Sequence, residues 1–182
     1  MNKLLIFPTD TVYGIGCGIF DKKNIDKIYE IKHRPRSKPL ACLCANLKQI
    51  QSIAYIGEKE QKIIEKLMPG ALTIILKAKE EVKNVTGFDT IGVRIPNSKT
   101  AQKILLENGP MLTTSVNESE KVPLNNYEEI YERYNNVVDK IYPSNEPSSS
   151  ISSTVVSLLK GEVQILREGQ IKLDDIKNII AY

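Results

Sequence analysis

Residues 4–18 read LLIFPTDTVYGIGCG. LLIF is a short continuous apolar run with the length of a buried strand, and Pro8 stops it. The residues after it, PTDTVYGIGCG, are small and turn-forming, which predicts a strand–turn–strand opening. Asp21 or Asn24 can cap a helix whose apolar stripe is Ile25, Ile28, Tyr29 and Ile31. Pro35 disfavours helical geometry at Arg34, so that helix should end near Lys32 or His33.

The same reading extends down the chain. Strands are predicted over 40–45, 72–77, 91–95, 111–115, 137–141 and 154–159, with 162–167 returning as a hairpin after Lys160-Gly161. Helices are predicted around 58–67, stopped by Pro69-Gly70, and from a cap at Asn97 or Ser98 to Gly109. Tyr127, Ile130, Tyr131 and Tyr134 mark another helix, and a short one closes the chain near Ile180. Strands and helices alternate irregularly and hairpins mix with crossovers, which predicts an α/β fold with a mixed sheet. The loop YPSNEPSSSISS is either a flexible linker or a flap over a site, and residues 143–153 are expected to be mobile until ligand binds.

Composition narrows the function classes. The chain has 182 residues, 41% of them hydrophobic and 26% charged, which fits a soluble globular domain. No apolar run approaches the ~20 residues of a membrane span. The stretch before Pro8 is too short for a signal peptide, so a cytoplasmic location is expected. Three cysteines argue against a disulfide framework. Cys42 and Cys44 have no second pair, and His33 is the only histidine, so neither a zinc site nor a histidine triad is expected.

The net charge is only +3, yet Asp21–Lys38 holds seven basic residues against three acidic ones. Such a segment meets an anion, whether nucleotide, phosphate or RNA, or it is a solvated helix face. There is no Walker A loop, and G-x-G-x-G at 14–18 lacks the dinucleotide spacing. Phosphates would then be held by side chains of K-x-R-P-R-x-K-P, residues 32–39. Ser115 and Asn117 lie two apart at a strand end and would point to one side. Arg94 is a charge inside an apolar strand and needs a carboxylate from the protein or from a substrate. Arg167 is a fourth cationic position beside a glycine turn.

These blocks together carry a resemblance. PTDTVYGIG at 8–16 resembles the opening motif of the YrdC family of threonylcarbamoyl-AMP synthases. IYEIKHRPRSKPL at 28–40 is similar to its helix-plus-K-x-R-P block, and MPGALTIIL at 68–76 to its W-P-G-x-L-T element, with Met68 where Trp is usual. IGVRIP, TTSVN and STVVSLLKGEVQILREG follow in the family's order, so the similarity spans about residues 5–171. His33 replaces the commoner glycine of K-G-R-P, and a Ser-rich run replaces the usual D-G-G before Ser152.

The resemblance implies a YrdC-like α/β fold: a twisted mixed β-sheet flanked by helices around a deep basic cavity, in a single domain over residues 1–182. It implies an L-threonylcarbamoyladenylate synthase, a nucleotidyltransferase that uses ATP, L-threonine and bicarbonate for tRNA modification. The family's K-R-S-N tetrad falls on Lys32, Arg34, Ser115 and Asn117 as catalytic residues. Thr11, Arg94, Thr113 and Ser153 would lie near threonine, and Lys32, Arg36, Ser115 and Arg167 near ATP. Mg2+ would accompany ATP without an all-protein metal site. Downstream tRNA threonylcarbamoyl-transferase proteins would take the product, with tRNA contacted indirectly or weakly and no membrane involved. The alternatives are an RNA-binding module, or a divergent paralogue that binds ATP but makes a different product.

Overall fold

The structure is a computed structural model and describes residues 2–119, 121–144, 146 and 148–181. The opening stretch forms β1 (Leu5–Phe7) and β2 (Gly14–Gly18), paired antiparallel with Ile6 opposite Ile15. Helix α1 (Lys22–Ile31) starts at Asp21, whose side chain accepts from the Asn24 N–H, and buries Ile25, Ile28 and Tyr29. Its last capped residue is Lys32, two before the residue that Pro35 keeps out of helical geometry.

Next come β3 (Ala41–Leu43), α2 (Leu47–Ile53), β4 (Ala54–Tyr55), α3 (Glu58–Leu67), β5 (Leu72–Ala78), α4 (Glu80–Thr86) and β6 (Thr90–Arg94). The remainder is α5 (Lys99–Asn108), β7 (Met111–Ser115), α6 (Tyr127–Tyr134), β8 (Lys140–Ile141), β9 (Thr154–Ser157), β10 (Gln164–Arg167) and α7 (Leu173–Ile180). The strands form one mixed sheet in the order β10-β9-β5-β6-β3-β7-β2-β1-β8, with β4 on β5. Pairs β1–β8, β3–β6 and β5–β9 are parallel and the rest antiparallel.

Side chains alternate across each strand, so the sheet has two unlike faces. Ile15, Cys17, Leu112, Cys42, Val93, Ile74 and Val156 share the larger core with Ile25 and Ile28 of α1, Ile63 and Ile64 of α3 and Ile176 of α7. All three cysteines are buried as free thiols. On the other face Phe7, Leu43 and Met111 pack on Ala101, Ile104 and Leu105 of α5. The rest of that second face is where the site lies. Among the described residues, no helix is long and apolar enough to cross a membrane.

Candidate active site

Across the sheet centre the register sets Gly16 opposite Thr113, Thr113 opposite Ala41, Ala41 opposite Gly92 and Gly92 opposite Ile75. Three of these five residues are glycine or alanine, so the floor of this face is low. A Cβ at Gly16 would stand 2.5 Å from Thr113 Oγ1, which only glycine avoids without moving the threonine. Above this floor lies a cavity of about 560 Å3. Its wall includes Thr9, Thr11, Thr73, Thr113, Ser115 and Ser153, together with Arg34, Lys38, Arg94 and Arg167. No carboxylate appears among the described lining residues.

Arg94 is buried, at 5% exposure. Its Nε donates to the Gly70 carbonyl at 2.9 Å, Nη1 to Thr11 Oγ1 at 2.7 Å and Nη2 to Asp10 Oδ1 at 2.5 Å. The carboxylate partner foreseen for Arg94 is therefore present within the protein, as Asp10. Burial lowers the Arg94 pKa, the Asp10 charge opposes that, and the Arg167 charge adds to it. Arg167 donates through Nε and Nη2 to the Ser153 carbonyl and through Nη2 to Ser153 Oγ, which is 2.8 Å from Thr73 Oγ1. Burial and then the charge of Arg34 lower the Arg167 pKa, and both residues line the cavity. Arg34 is held by the carbonyls of Lys38 and Pro39, and its Nη1 makes no hydrogen bond among the described residues.

Lys32 is only 2% exposed and does not line the cavity. Its Nζ donates to the Ser115 carbonyl at 2.6 Å, the Asn117 carbonyl at 2.7 Å and Asn117 Oδ1 at 2.8 Å. An ammonium has three N–H donors, and all three are engaged. Asn117 Oδ1 also accepts from Ser115 Oγ at 2.7 Å, and the Ser119 N–H returns to the Lys32 carbonyl. The four tetrad positions therefore divide. Arg34 and Ser115 stand on the wall, while Lys32 and Asn117 clamp the strand end that carries Ser115.

Thr11, Arg94, Thr113, Ser153, Ser115 and Arg167 all line the cavity. Arg36 does not. Its guanidinium pairs with Asp26 and lies 4.6 Å from the centre of the Tyr29 ring, on the outer side of α1. Lys38 is on the wall instead. The Lys38 N–H closes a turn onto the Pro35 carbonyl. Thr73 was not singled out from sequence. The signal was its alternation with Leu72 and Ile74 in β5, which puts Thr73 and Ile75 on the cavity face.

Described residues of the Ser-rich loop are hydrogen-bonded to the segments around Asp10 and Asn125. Ser149 and Ser150 donate their N–H groups to the carbonyls of Asp10 and Thr11, and Asn125 Nδ2 donates to Ser148 Oγ and Ser150 Oγ. Glu146 accepts from the Lys99 and Thr100 N–H groups at 2.7 and 2.9 Å, covering the start of α5. Asn145 and Pro147 of this loop lie outside the described residues.

Comparison with known proteins decides the family. The model of Sua5_yciO_yrdC, with the description Telomere recombination, matches residues 1–169. The chain belongs to the Sua5/YciO/YrdC family. A Methanocaldococcus jannaschii protein that carries a threonylcarbamoyl-AMP synthase name is 33% identical over 175 residues, covering 96% of this chain and 84% of that protein. The threonylcarbamoyl-AMP synthase of Pyrococcus abyssi is 32% identical over 184 residues, 99% of this chain and 54% of that protein. The crystal structure of P. abyssi Sua5 complexed with L-threonine superposes with a TM-score of 0.91 at 31% identity, covering 98% of this chain and 54% of that one. Escherichia coli YciO has a TM-score of 0.86 at 27% identity, covering 96% and 87%. The chain thus spans about half the length of the P. abyssi enzyme and nearly the whole of YciO.

Proposed function

We propose that this chain is an L-threonylcarbamoyladenylate synthase, a nucleotidyltransferase acting in the cytoplasm on behalf of tRNA modification. The observation that carries the reading is one cavity with two kinds of wall. Its lining offers Arg94, Thr11, Thr113 and Ser153 as one set, and Arg34, Lys38 and Arg167 as a second, cationic set, without a carboxylate among the described lining residues. The first suits an amino acid and the second a polyphosphate. The likeness to a relative complexed with L-threonine supports threonine as the amino acid.

In the proposed reaction the threonine amine attacks the carbon of bicarbonate, and water leaves. A carbamate oxygen then attacks the α-phosphorus of ATP, the bond to the β-phosphate oxygen breaks, and pyrophosphate departs with the electron pair. Negative charge grows on the leaving group, so Arg34, Lys38 and Arg167 act by preorganised electrostatics. Ser115 orients the carbamate or nucleotide by hydrogen bonding, while Lys32 and Asn117 hold it in place. Arg94 takes the threonine carboxylate. The described lining residues supply hydroxyls and guanidiniums but no carboxylate, so Mg2+ would arrive bound to ATP and be held by phosphate oxygens and water. The product would pass to tRNA threonylcarbamoyl-transferase proteins, so tRNA meets this chain indirectly or weakly.

The test is mass detection of product after purified protein is mixed with ATP, L-threonine and bicarbonate. The threonylcarbamoyl-AMP mass is expected. A different adenylate, or ADP alone, would overturn the assignment.

A further inference from the structure

Asp10 has no part in the reading above and does not line the cavity, yet three segments meet on it. Its Oδ1 accepts from Arg94 Nη2 at 2.5 Å and from the Asn97 backbone N–H at 3.0 Å. Its backbone carbonyl accepts from the Ser149 N–H at 3.0 Å. The ion pair is shielded, with side-chain exposures of 6% for Arg94 and 17% for Asp10.

A guanidinium carries five N–H donors, one on Nε and two on each Nη. In Arg94 each nitrogen spends one N–H on the protein: Nε on Gly70, Nη1 on Thr11 and Nη2 on Asp10. Three fixed points define the guanidinium plane, and one N–H on each Nη has no acceptor among the described residues. Two N–H groups on neighbouring nitrogens can together receive a carboxylate. Of the three partners, Asp10 alone is charged. It is itself held by Asn97, just beyond β6, and so ties Arg94 to the end of its own strand.

We propose that Asp10 is a positioning residue, which sets the Arg94 guanidinium for an amino-acid carboxylate without touching the substrate. This rests on the reading of the cavity as a threonine site. The experiment uses the intact chain and compares wild type, Asp10→Asn, Arg94→Gln and the double variant by threonine calorimetry and by steady-state kinetics. Asn keeps an oxygen for Asn97 and removes the charge that fixes Arg94. Asp10→Asn is expected to raise KM for threonine by about tenfold or more while KM for ATP stays put. In the Arg94→Gln background the same change should add nothing, because the residue acts only through Arg94.

Equal rises in both KM values, or additive losses in the double variant, would show a structural role and overturn the inference. If Asp10→Asn does not fold, Asp10→Glu carries the test. It keeps the charge but displaces the oxygen, and the same selective rise is expected. Wild-type protein that binds no threonine would overturn the cavity reading and this inference with it. Threonine binding that is unchanged in a folded Asp10 variant would overturn this inference alone.

Discussion

The Lys32 ammonium has three donors and three oxygens to meet them, all inside the protein. Burial, and then the nearby Arg34 charge, bring its pKa down from 10.5 to about 8. Lys32→Met would leave the Ser115 and Asn117 oxygens without their donor, at a cost of roughly 3 kcal/mol in urea unfolding. Product formation should fall with it, since Ser115 loses its clamp. The charge also sets a pH signature. Below about pH 8 folded and unfolded chains both hold the proton; between there and 10.5 only the unfolded chain does. Folding then releases a proton, so this group's contribution to stability rises with pH across that window, by at most about 1.4 kcal/mol per unit. The wild-type minus Lys32→Met difference isolates it, and a difference flat through the window would place the ammonium at its ordinary value. His33, next along, sits at φ 47 in the left-handed region that glycine favours. His33→Gly should relieve that strain and stabilise by roughly 0.5–1 kcal/mol, after the extra chain entropy glycine loses on folding. A lower melting temperature would mean that the imidazole makes contacts outweighing the strain.

Helix α5 has two anchors at its start. Ser98 Oγ accepts from the Ala101 N–H, and Glu146 reaches across from the Ser-rich loop to the Lys99 and Thr100 N–H groups. A carboxylate there meets both the unpaired donors and the positive end of the helix. Glu146→Ala should cost about 1 kcal/mol and speed amide exchange at Lys99, Thr100, Ser149 and Ser150 together. Unchanged exchange at Ser149 and Ser150 would show that the loop does not depend on Glu146. The anchor was invisible in the sequence because it joins residues 46 apart. Elements whose signals are local were legible: the Asp21 cap of α1, the span of α3, Ser98 and Gly109 bracketing α5, and β7. Three short elements were not. Helix α2 buries only Ile50 and Ile53, α4 only Val82, and β4 has two residues, too few to show a period.

At the scale of the whole molecule, the cavity draws on segments from Thr9 to Arg167, and only the sheet order brings them together. The kinds of residue were readable from sequence, because a charged arginine in an apolar strand and hydroxyls at a strand end stand out. Which cations line the cavity was not. Arg36 and Lys38 lie two apart, and the ion pair with Asp26 and the stacking on Tyr29 hold Arg36 off the cavity lining. Nor could the sequence show that Lys32 spends its charge on the protein, since its acceptors are more than 80 residues away. The central claim is that one cavity joins an amino acid, bicarbonate and ATP. Its most direct test is the initial rate of pyrophosphate release from purified protein and ATP, with threonine and bicarbonate supplied singly and together. Release should require both. Equal release with either one left out would contradict the claim and mark the chain as an ATPase or an enzyme for another substrate.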